Sequence, residues 1–212
     1  MLYYHYVTLH QQEDPMEFVD PIKEIDQINA IKIILQKQSY RDLLLFSLGI
    51  NTGISISDLL TLKVEDVWTD TEVKEFLIIH DEKSGKTQEF YLNNQVKRVL
   101  ENYFAYSNLV QSDYLFKSKK NNLPITRQQA YRIINQAAKA AGIEGRIGTH
   151  TLRKTFGYHA YRKGIAISIL MSILHHQSPT ETLNYIGIDK NEKVKESKLV
   201  TFIRDSMLEQ KN

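Results

Sequence analysis

Two pairs of side chains in the second half of the sequence have the types and spacing suited to chemistry on a phosphate group. The first pair is His150 and Arg153, three residues apart in THTLRKTFGYHAYRKG at 149–164. This spacing places both on one face if a helix begins there. Arginine offers a planar fork to two phosphate oxygens, and histidine donates to a third. The H-x-x-R pair is common on protein surfaces, so alone it is a weak signal.

The second pair lies in LHHQSPTETLNY, where His176 precedes Tyr185 by nine residues. SPTE at 178–181 supplies an N-cap serine, a proline at the first helical position and a carboxylate at the third, so it predicts a helix start. That helix would turn Tyr185 back toward the same site. A tyrosine attacks a phosphate when its proton is removed and neighbouring cations stabilise the charge. The alternative is a packing role, since the chain has 12 tyrosines.

Apolar spacing predicts that helices position these side chains. An N-cap at Ser57 predicts the third helix. The predicted helical ranges are 21–34, 41–48, 57–62, 94–106, 126–141, 151–163, 167–174 and from 179 onward. Two runs rich in β-branched and aromatic residues, VKEFLIIHD and TQEFYLN, are separated by EKSGK and predict a β-hairpin.

The expected fold class is therefore mainly α with a small antiparallel β-sheet (α+β). The absence of repeats and of a Gly/Ser or Pro-rich linker indicates one domain over 18–190. An arm or short strand over 1–17 precedes it, and a helical tail over 191–212 follows. Four tail residues form an apolar stripe that packs either on this domain or on a neighbouring protomer: Leu199, Phe202, Ile203 and Met207.

Composition bounds the class of protein. A chain of 212 residues with 42% hydrophobic content can bury a good core. It contains no cysteine, which excludes disulfides and thiolate sites. No signal peptide is visible, and the apolar stretches are far shorter than the roughly 20 residues needed to span a membrane. The sequence predicts a cytoplasmic protein without membrane contact.

Charge is distributed unevenly along the chain. Residues 1–113 hold 10 Lys and Arg against 18 Asp and Glu, whereas residues 114–180 hold 11 Lys and Arg against one acid, Glu144. Such a block predicts a positive face that attracts a polyanion through phosphate contacts and counterion release. A solvated basic surface is the alternative. Charge alone discriminates poorly between nucleic acid and acidic protein partners.

The sequence resembles the catalytic domain of the tyrosine recombinases, or phage-type integrases, over roughly residues 18–188. THTLRKTF matches the H-x-x-R box of that family, and LHHQSPTETLNY matches its L-G-H-x-S…Y box with the usual spacing. NTGISISDLLTLKVEDV matches the box written T-G-L-R-I-S-E-L. KSGK falls where the family has a β-hairpin lysine, and Lys83 matches better than Lys86. Three boxes in order at these spacings are highly specific.

The resemblance implies a metal-free transesterification on double-stranded DNA with no cofactor. Tyr185 would attack a backbone phosphate to form a 3′-phosphotyrosyl link and release a 5′-hydroxyl. Arg153, His150 and His176 would hold the pentacoordinate phosphate, and Lys83 would protonate the leaving oxygen. The basic block would face the DNA, with Lys154, Arg127 and Arg132 as candidate contacts.

Three departures from the family pattern bear on activity. Ser55 stands where the family has an arginine on the same phosphate, and His175 stands where it most often has glycine. Loss of an arginine on a phosphoryl transition state costs about 10³–10⁵ in rate. His175 or Arg41 are candidate replacements for that cation. The third departure is length, since the arm over 1–17 is too short for the N-terminal clamp domain of complete recombinases.

Several hypotheses therefore follow from the sequence. The first is a site-specific recombinase acting as a homo-oligomer on DNA or with a longer recombinase partner. The second is a catalytically degenerate module that binds DNA or regulates an active partner. The third is a helical domain whose basic face binds acidic protein. A zinc site is a minor alternative, with four candidate ligands: His150, His159, His175 and His176.

Overall fold

Helices dominate the part of the chain that the structure describes. In the computed structural model this part comprises residues 19–69, 71–81 and 86–188. Its elements in chain order are α1 (Ile25–Gln38), α2 (Tyr40–Thr52), α3 (Ile56–Thr61), α4 (Val64–Val67), β1 (Phe76–Asp81), β2 (Lys86–Tyr91), α5 (Asn94–Ala105), α6 (Arg127–Ala140), α7 (Thr149–Arg162), α8 (Ile167–Leu174) and α9 (Pro179–Tyr185). The predicted fold class is confirmed. The predicted arm over 1–17 and the apolar stripe of the tail lie outside the described residues.

Strands β1 and β2 form the predicted hairpin. They pair antiparallel, with Phe76 opposite Tyr91 and Asp81 opposite Lys86. The rings of Phe76 and Tyr91 lie 5.6 Å apart, a cross-strand contact that helps to fix the register. The turn containing Lys83 lies outside the described residues. Of Lys86, the other candidate lysine, only the backbone is described, so the role of either lysine stays a prediction.

The start of α3 corrects one detail of the sequence prediction. Ser55, not Ser57, is the N-cap, because its backbone is extended and its side chain accepts from the backbone N–H of Asp58. Ser57 already lies inside the helix. The short helix α4 was not predicted, since four residues are too few to show a helical period. Helix α7 begins at Thr149, two residues before the predicted start.

Helix α2 lies at the centre of the core. Its middle turns read LLLFSLG, and residues 43–49 are all buried. A helix that is apolar around most of its circumference must be enclosed by other elements. Helix α2 accordingly packs against α1, α5 and α7, and thereby joins the first half of the domain to the helix that carries His150 and Arg153.

A smaller apolar cluster supports the end of the domain. Leu174, Ile186 and Ile188 form it, and the ring of Tyr185 packs against it. Gly157 allows this approach, because a Cβ at that position would lie 2.5 Å from Ile186 Cγ2. The absence of a side chain on α7 therefore lets the chain after α9 lie directly against α7.

The segment before α1 is bonded to α7 and to the end of α9. The backbone N–H of Ile22 donates to Thr155 Oγ1 at 2.9 Å, and His159 Nε2 lies 2.9 Å from the Ile22 carbonyl oxygen. Lys23 Nζ donates to the carbonyl of Gly187 at 2.9 Å. These bonds link residues more than 130 positions apart and close the domain around its carboxyl-terminal helices. Within the described ranges, no helix is both long and apolar enough to cross a membrane.

Candidate active site

One cavity gathers most of the residues predicted from the sequence to act on a phosphate. It has a volume of about 250 Å³ and opens between α3, α6, α7 and the α8–α9 turn. Its polar lining residues are Ser55, Ser57, Arg127, Thr149, His150, Arg153, His176 and Tyr185. Segments that are distant in sequence therefore converge on one volume large enough for a phosphate group. Lys83, predicted for the same site, lies outside the residues that can be placed.

Helix α7 positions His150 and Arg153 in its first two turns. Its start is fixed by Thr151, whose Oγ1 accepts a hydrogen bond from the backbone N–H of Gly148 at 3.1 Å. Arg153 Nη2 donates to the carbonyl of Ile173 at 2.8 Å, near the end of α8. The guanidinium is therefore held between two helices, with its remaining N–H groups available to a ligand.

Burial makes the charge of Arg153 sensitive to its neighbours. Removal from water lowers the pKa of this guanidinium, while the nearby Tyr185 and Asp58 act in the opposite direction. An arginine remains protonated throughout the physiological range despite such a shift. Arg153 is thus a partly desolvated positive charge, and charges interact more strongly in such surroundings than in water.

The turn between α8 and α9 positions His176. Its Nδ1 lies 3.0 Å from Thr182 Oγ1, and the Thr182 hydroxyl donates to the carbonyl of Ser178 at 3.2 Å. Because that hydroxyl proton is already used, the threonine oxygen accepts from His176, which places the proton of the neutral ring on Nδ1. Burial lowers the pKa of His176, Glu181 opposes the shift and Arg153 adds to it.

Helix α9 begins as predicted and carries Tyr185 at its end. The Ser178 side chain accepts from the backbone N–H of Glu181, and Pro179 occupies the first helical position. The Tyr185 phenol oxygen lies 3.5 Å from His150 Nδ1, the outer limit of a hydrogen bond. Its ring meets the His176 ring edge to face, with centroids 4.9 Å apart. Tyr185 therefore contacts both histidines of the cavity.

The phenol of Tyr185 is protonated at neutral pH. Burial raises the pKa of Tyr185 above the usual value near 10, and the positive charge of Arg153 opposes the shift. Lys154 adds a second cation, with Nζ 5.2 Å from the ring centroid. A nucleophilic role would consequently require a base to remove the phenol proton.

Ser55 lines the cavity but directs its side chain into its own helix. Its Oγ donates to Asp58 Oδ2 at 2.6 Å and accepts from the Asp58 backbone N–H at 3.2 Å. Both functions of the hydroxyl are thus engaged locally, as in a capped helix start. The position to which the resemblance assigns an arginine therefore holds a neutral cap beside a carboxylate.

Neither candidate replacement for that arginine lies in the cavity. Arg41 pairs with Asp42 at 2.8 Å, donates to the carbonyl of Lys117 at 3.0 Å and lines a different cavity. His175 is exposed and forms the C-cap of α8 in the left-handed conformation, with φ 57° and ψ 38°. Glycine, which the resemblance predicts at this position, adopts that conformation without strain.

The three candidate DNA contacts occupy different surroundings. Arg127 lines the active-site cavity, whereas Arg132 lines the cavity that contains Arg41. Lys154 is half-buried and donates to the carbonyl of Val19 at 2.8 Å, and burial lowers its pKa. A DNA contact by each of them stays a prediction. The T-x-x-Q capping box predicts a helix from Arg127, but no sequence signal places it beside Ser55.

The described residues do not support a zinc site. They contain no group of three or more His, Cys, Asp or Glu side chains that could hold a metal ion. His159 is bonded to the Ile22 carbonyl, and His176 is bonded to Thr182. The four histidines considered as ligands are therefore divided between separate structural roles.

Comparison with known proteins identifies relatives of the whole domain. The sequence pattern described as Phage integrase family matches residues 21–192. Probable integrase/recombinase YoeC of Bacillus subtilis is 42% identical over 176 residues, which cover 83% of this chain and 93% of YoeC. A tyrosine recombinase of Pseudothermotoga lettingae is 32% identical over 156 residues, covering 74% of this chain but 52% of that protein.

Solved structures agree on the fold. A crystal structure of XerA recombinase matches with a TM-score of 0.69 at 21% identity, covering 88% of this chain and 65% of that chain. XerH site-specific recombinase bound to a palindromic difH substrate matches with a TM-score of 0.67 at 20% identity, covering 85% and 53%. This chain spans about half the length of several of the recombinases it matches. The family pattern over residues 21–192 and the identity to YoeC together show that the chain belongs to the phage integrase family, the tyrosine recombinases.

Proposed function

We propose that this chain is a site-specific DNA recombinase that cleaves and rejoins DNA through Tyr185. The observation that carries the proposal is the contact of the Tyr185 phenol with His150 and His176 in the cavity that Arg153 also lines. A tyrosine, two imidazoles and a fixed cation can supply the nucleophile, the proton acceptor and the charge stabilisation for phosphoryl transfer without a metal. The family pattern supports the same class of reaction.

The proposed reaction exchanges one phosphodiester for another. Tyr185 Oη forms a bond to phosphorus while the bond from phosphorus to the 5′ oxygen breaks. The phenol proton passes to His150, whose Nδ1 lies 3.5 Å away, and the leaving oxygen takes a proton from Lys83. The products are a 3′-phosphotyrosyl link and a 5′-hydroxyl. Attack by the 5′-hydroxyl of another strand reverses these steps and joins the strands without a cofactor.

His150, Arg153 and His176 each have a proposed part in this reaction. His150 becomes a cationic donor once it has accepted the phenol proton. Arg153 stabilises the phosphate oxygens as charge accumulates on them. His176 is neutral near pH 7 because burial lowers its pKa, and an approaching phosphate would favour its protonated form. Burial of Arg153 strengthens these interactions, since water screens them less in a partly enclosed site.

A second, basic cavity, lined partly by residues of α6, supports double-stranded DNA as the substrate. It has a volume of about 430 Å³, and no acidic residue lines it. Its basic lining residues are Arg41, Lys119, Lys120 and Arg132. The related XerH was solved on its difH substrate, and a lambda integrase dimer was solved on a core site. These relatives support DNA binding by two or more copies of this chain, or with a longer recombinase.

One observation favours a second candidate, a degenerate DNA-binding or partner-regulating module. Ser55 and Asp58 occupy the place where related sequences carry an arginine, and their side chains bond to each other. Loss of that arginine from a phosphoryl-transfer site lowers the rate by about 10³–10⁵. This alternative predicts binding to DNA without formation of a covalent link.

The test is a covalent-trapping experiment on DNA selected from random duplexes by the purified protein. A nick placed just beyond the scissile phosphate lets the short cleaved strand diffuse away, so the phosphotyrosyl link accumulates. We expect a protein–DNA adduct on a denaturing gel for the wild type and none for Tyr185→Phe. Tyr91→Phe is the matched control, because this exposed tyrosine lies on β2 and does not line the cavity.

Salt dependence separates the remaining outcomes. Binding that weakens steeply with salt, with an equal absence of adduct in wild type and Tyr185→Phe, supports the degenerate module. Adduct formation that survives in Tyr185→Phe would refute Tyr185 as the nucleophile. Absence of salt-dependent DNA binding would refute both DNA-based functions and favour an acidic protein partner.

A further inference from the structure

We propose that Arg127 supplies the positive charge on the scissile phosphate that Ser55 does not provide. The inference rests on the proposed function, because it assigns a residue to the same phosphate site. Arg127 and Arg153 are the two arginines that line the active-site cavity. They come from different helices, so the cavity holds two fixed positive charges although the family position at 55 is neutral.

The start of α6 holds Arg127 at a defined place. Thr126 is the N-cap, and its Oγ accepts from the backbone N–H of Gln129 at 3.2 Å. In turn, the Gln129 side chain accepts a hydrogen bond from the backbone N–H of Thr126 at 2.9 Å. This capping box fixes the first helical residue, which is Arg127. Its side chain therefore extends from a rigid point rather than from a loop.

Packing of α6 places this start next to the helix that carries Ser55. Ala130 and Ile134, one and two turns after Arg127, are completely buried in the main core. Helix α6 contacts α3, and the first turns of both helices contribute to the cavity. A charge lost from the start of α3 is thus replaced from the start of an adjacent helix.

The other nearby cations are engaged elsewhere. Arg41 pairs with Asp42 in a separate cavity, and Lys154 donates to the Val19 carbonyl. His175 is exposed and does not line the active-site cavity. Arg127 is exposed, and no described residue bonds to its guanidinium. Its five N–H donors are therefore available to a phosphate oxygen.

The charges around the cavity favour a second arginine. Asp58 lies close enough to Arg153 to favour its charged form, and it is bonded to Ser55 beside the cavity. A phosphate entering the cavity meets the negative carboxylate as well as Arg153. Asp58 therefore offsets part of the positive charge of Arg153, and Arg127 adds positive charge where the phosphate accumulates negative charge.

The inference is tested by a double-mutant cycle with Arg127→Gln and Ser55→Arg. The measurement is the single-turnover rate of adduct formation at saturating DNA, so that weaker binding of DNA does not lower the rate. We expect Arg127→Gln to slow cleavage by about 10²–10³-fold, the cost of removing one preorganised donor. In the Ser55→Arg background the same change should cost less than about tenfold, because either arginine serves the phosphate.

Two further variants define the specificity of the effect. Lys139→Gln is the matched control, since it removes a positive charge from the last turn of the same helix, about 18 Å away along α6. Arg127→Lys should retain part of the rate, because lysine keeps the charge but not the planar fork. Thermal unfolding of each variant confirms that the fold is retained.

Three results would overturn the inference. The first is an unchanged rate for Arg127→Gln at saturating DNA with a lower affinity for DNA. That result would show that Arg127 contributes to DNA binding and not to the cleavage step. The second is an equal loss in both backgrounds, which would show that the two positions do not share a phosphate. The third is a comparable loss in Lys139→Gln, which would reduce the effect to overall charge.

Failure of the proposed function is distinguished by a binding measurement that needs no cleavage. If no variant forms an adduct, binding of inorganic phosphate is followed by ³¹P NMR. Weaker phosphate binding in Arg127→Gln but not in Lys139→Gln supports Arg127 as the phosphate cation of an inactive site. Equal binding of phosphate by the wild type, Arg127→Gln and Lys139→Gln overturns the inference.

Discussion

The active-site cavity has two walls that differ in how their side chains use hydrogen bonds. The α7–α9 wall consists of His150, Arg153, His176 and Tyr185, and the α3 wall consists of Ser55 and Ser57. On the α7–α9 wall, bonds to other helices orient side chains toward a common space. On the α3 wall, the hydroxyl of Ser55 bonds within its own first turn.

The α7–α9 wall retains groups suited to chemistry at some cost in local stability. Arg153 is desolvated, and the pKa of Tyr185 is raised by burial. His175, next to His176, has the left-handed backbone conformation that disfavours a residue with a Cβ. Strain and buried charge of this kind concentrate at functional sites.

On the α3 wall, by contrast, the side chain at position 55 favours local stability. A serine at an N-cap is worth about 1 kcal/mol over a residue that cannot accept a hydrogen bond from the helix. An arginine side chain has no acceptor, so an arginine at position 55 would forfeit that cap. A serine at position 55 therefore favours the stability of α3, whereas an arginine there would favour charge at the phosphate site.

Among the variants that test this contrast, Arg153→Gln on the α7–α9 wall should have the largest effect. We expect the single-turnover cleavage rate to fall by about 10³–10⁵, because the fork on the phosphate is lost. Arg153→Lys keeps the charge and should lose less. Since Arg153 also bonds to the Ile173 carbonyl, thermal unfolding is measured alongside. A loss smaller than about tenfold in a folded Arg153→Gln protein would contradict the chemical role of this wall.

The matching test on the α3 wall is Ser55→Ala. Loss of the cap should lower the free energy of unfolding by about 0.5–2 kcal/mol, measured by urea denaturation. The cleavage rate should change less than about tenfold, because the removed hydroxyl already bonds to Asp58. Ser57→Ala is the control, since this exposed serine lies inside α3 and caps nothing. Equal destabilisation by the two variants would refute the cap assignment.

The helices that carry the α7–α9 wall were predicted well because the signals for their formation are local. The spacing of His150 and Arg153 depends only on helical period, and the SPTE start fixes α9 without help from the rest of the fold. Helices α5, α6 and α8 were predicted to within one residue at each end for the same reason. Strong periodicity and explicit caps are signals that a sequence carries by itself.

The α3 wall was harder to predict. Which serine caps the helix, and which residues lie next to it, depend on contacts with neighbouring residues and helices. Ser55 and Ser57 are both able to cap a helix, and the bond to Asp58 decides between them. The place of Arg127 depends on how α6 packs against α3, which no local pattern encodes. Likewise, the resemblance predicts glycine at position 175, but only the structure shows that the backbone there is left-handed.

The smallest expected effect comes from relieving backbone strain next to the α7–α9 wall with His175→Gly. Glycine adopts the left-handed conformation freely, so the variant should be more stable by about 0.5–1 kcal/mol after its greater freedom in the unfolded chain is counted. Differential scanning calorimetry should show a melting temperature higher by about 1–4 °C. The change should also raise the pKa of His176, because His175 contributes to lowering it.

His175→Ala separates backbone strain from charge. Alanine removes the imidazole but keeps the Cβ that disfavours the left-handed conformation, so it should raise the pKa of His176 without raising the melting temperature. Equal stabilisation by glycine and alanine would show that repulsion between imidazoles, not the backbone, is the source of strain. With the expected result, the surroundings of the two walls differ in local stability: the α3 wall is stabilised by its own cap, whereas an unfavourable backbone conformation at His175 lies next to His176 of the α7–α9 wall.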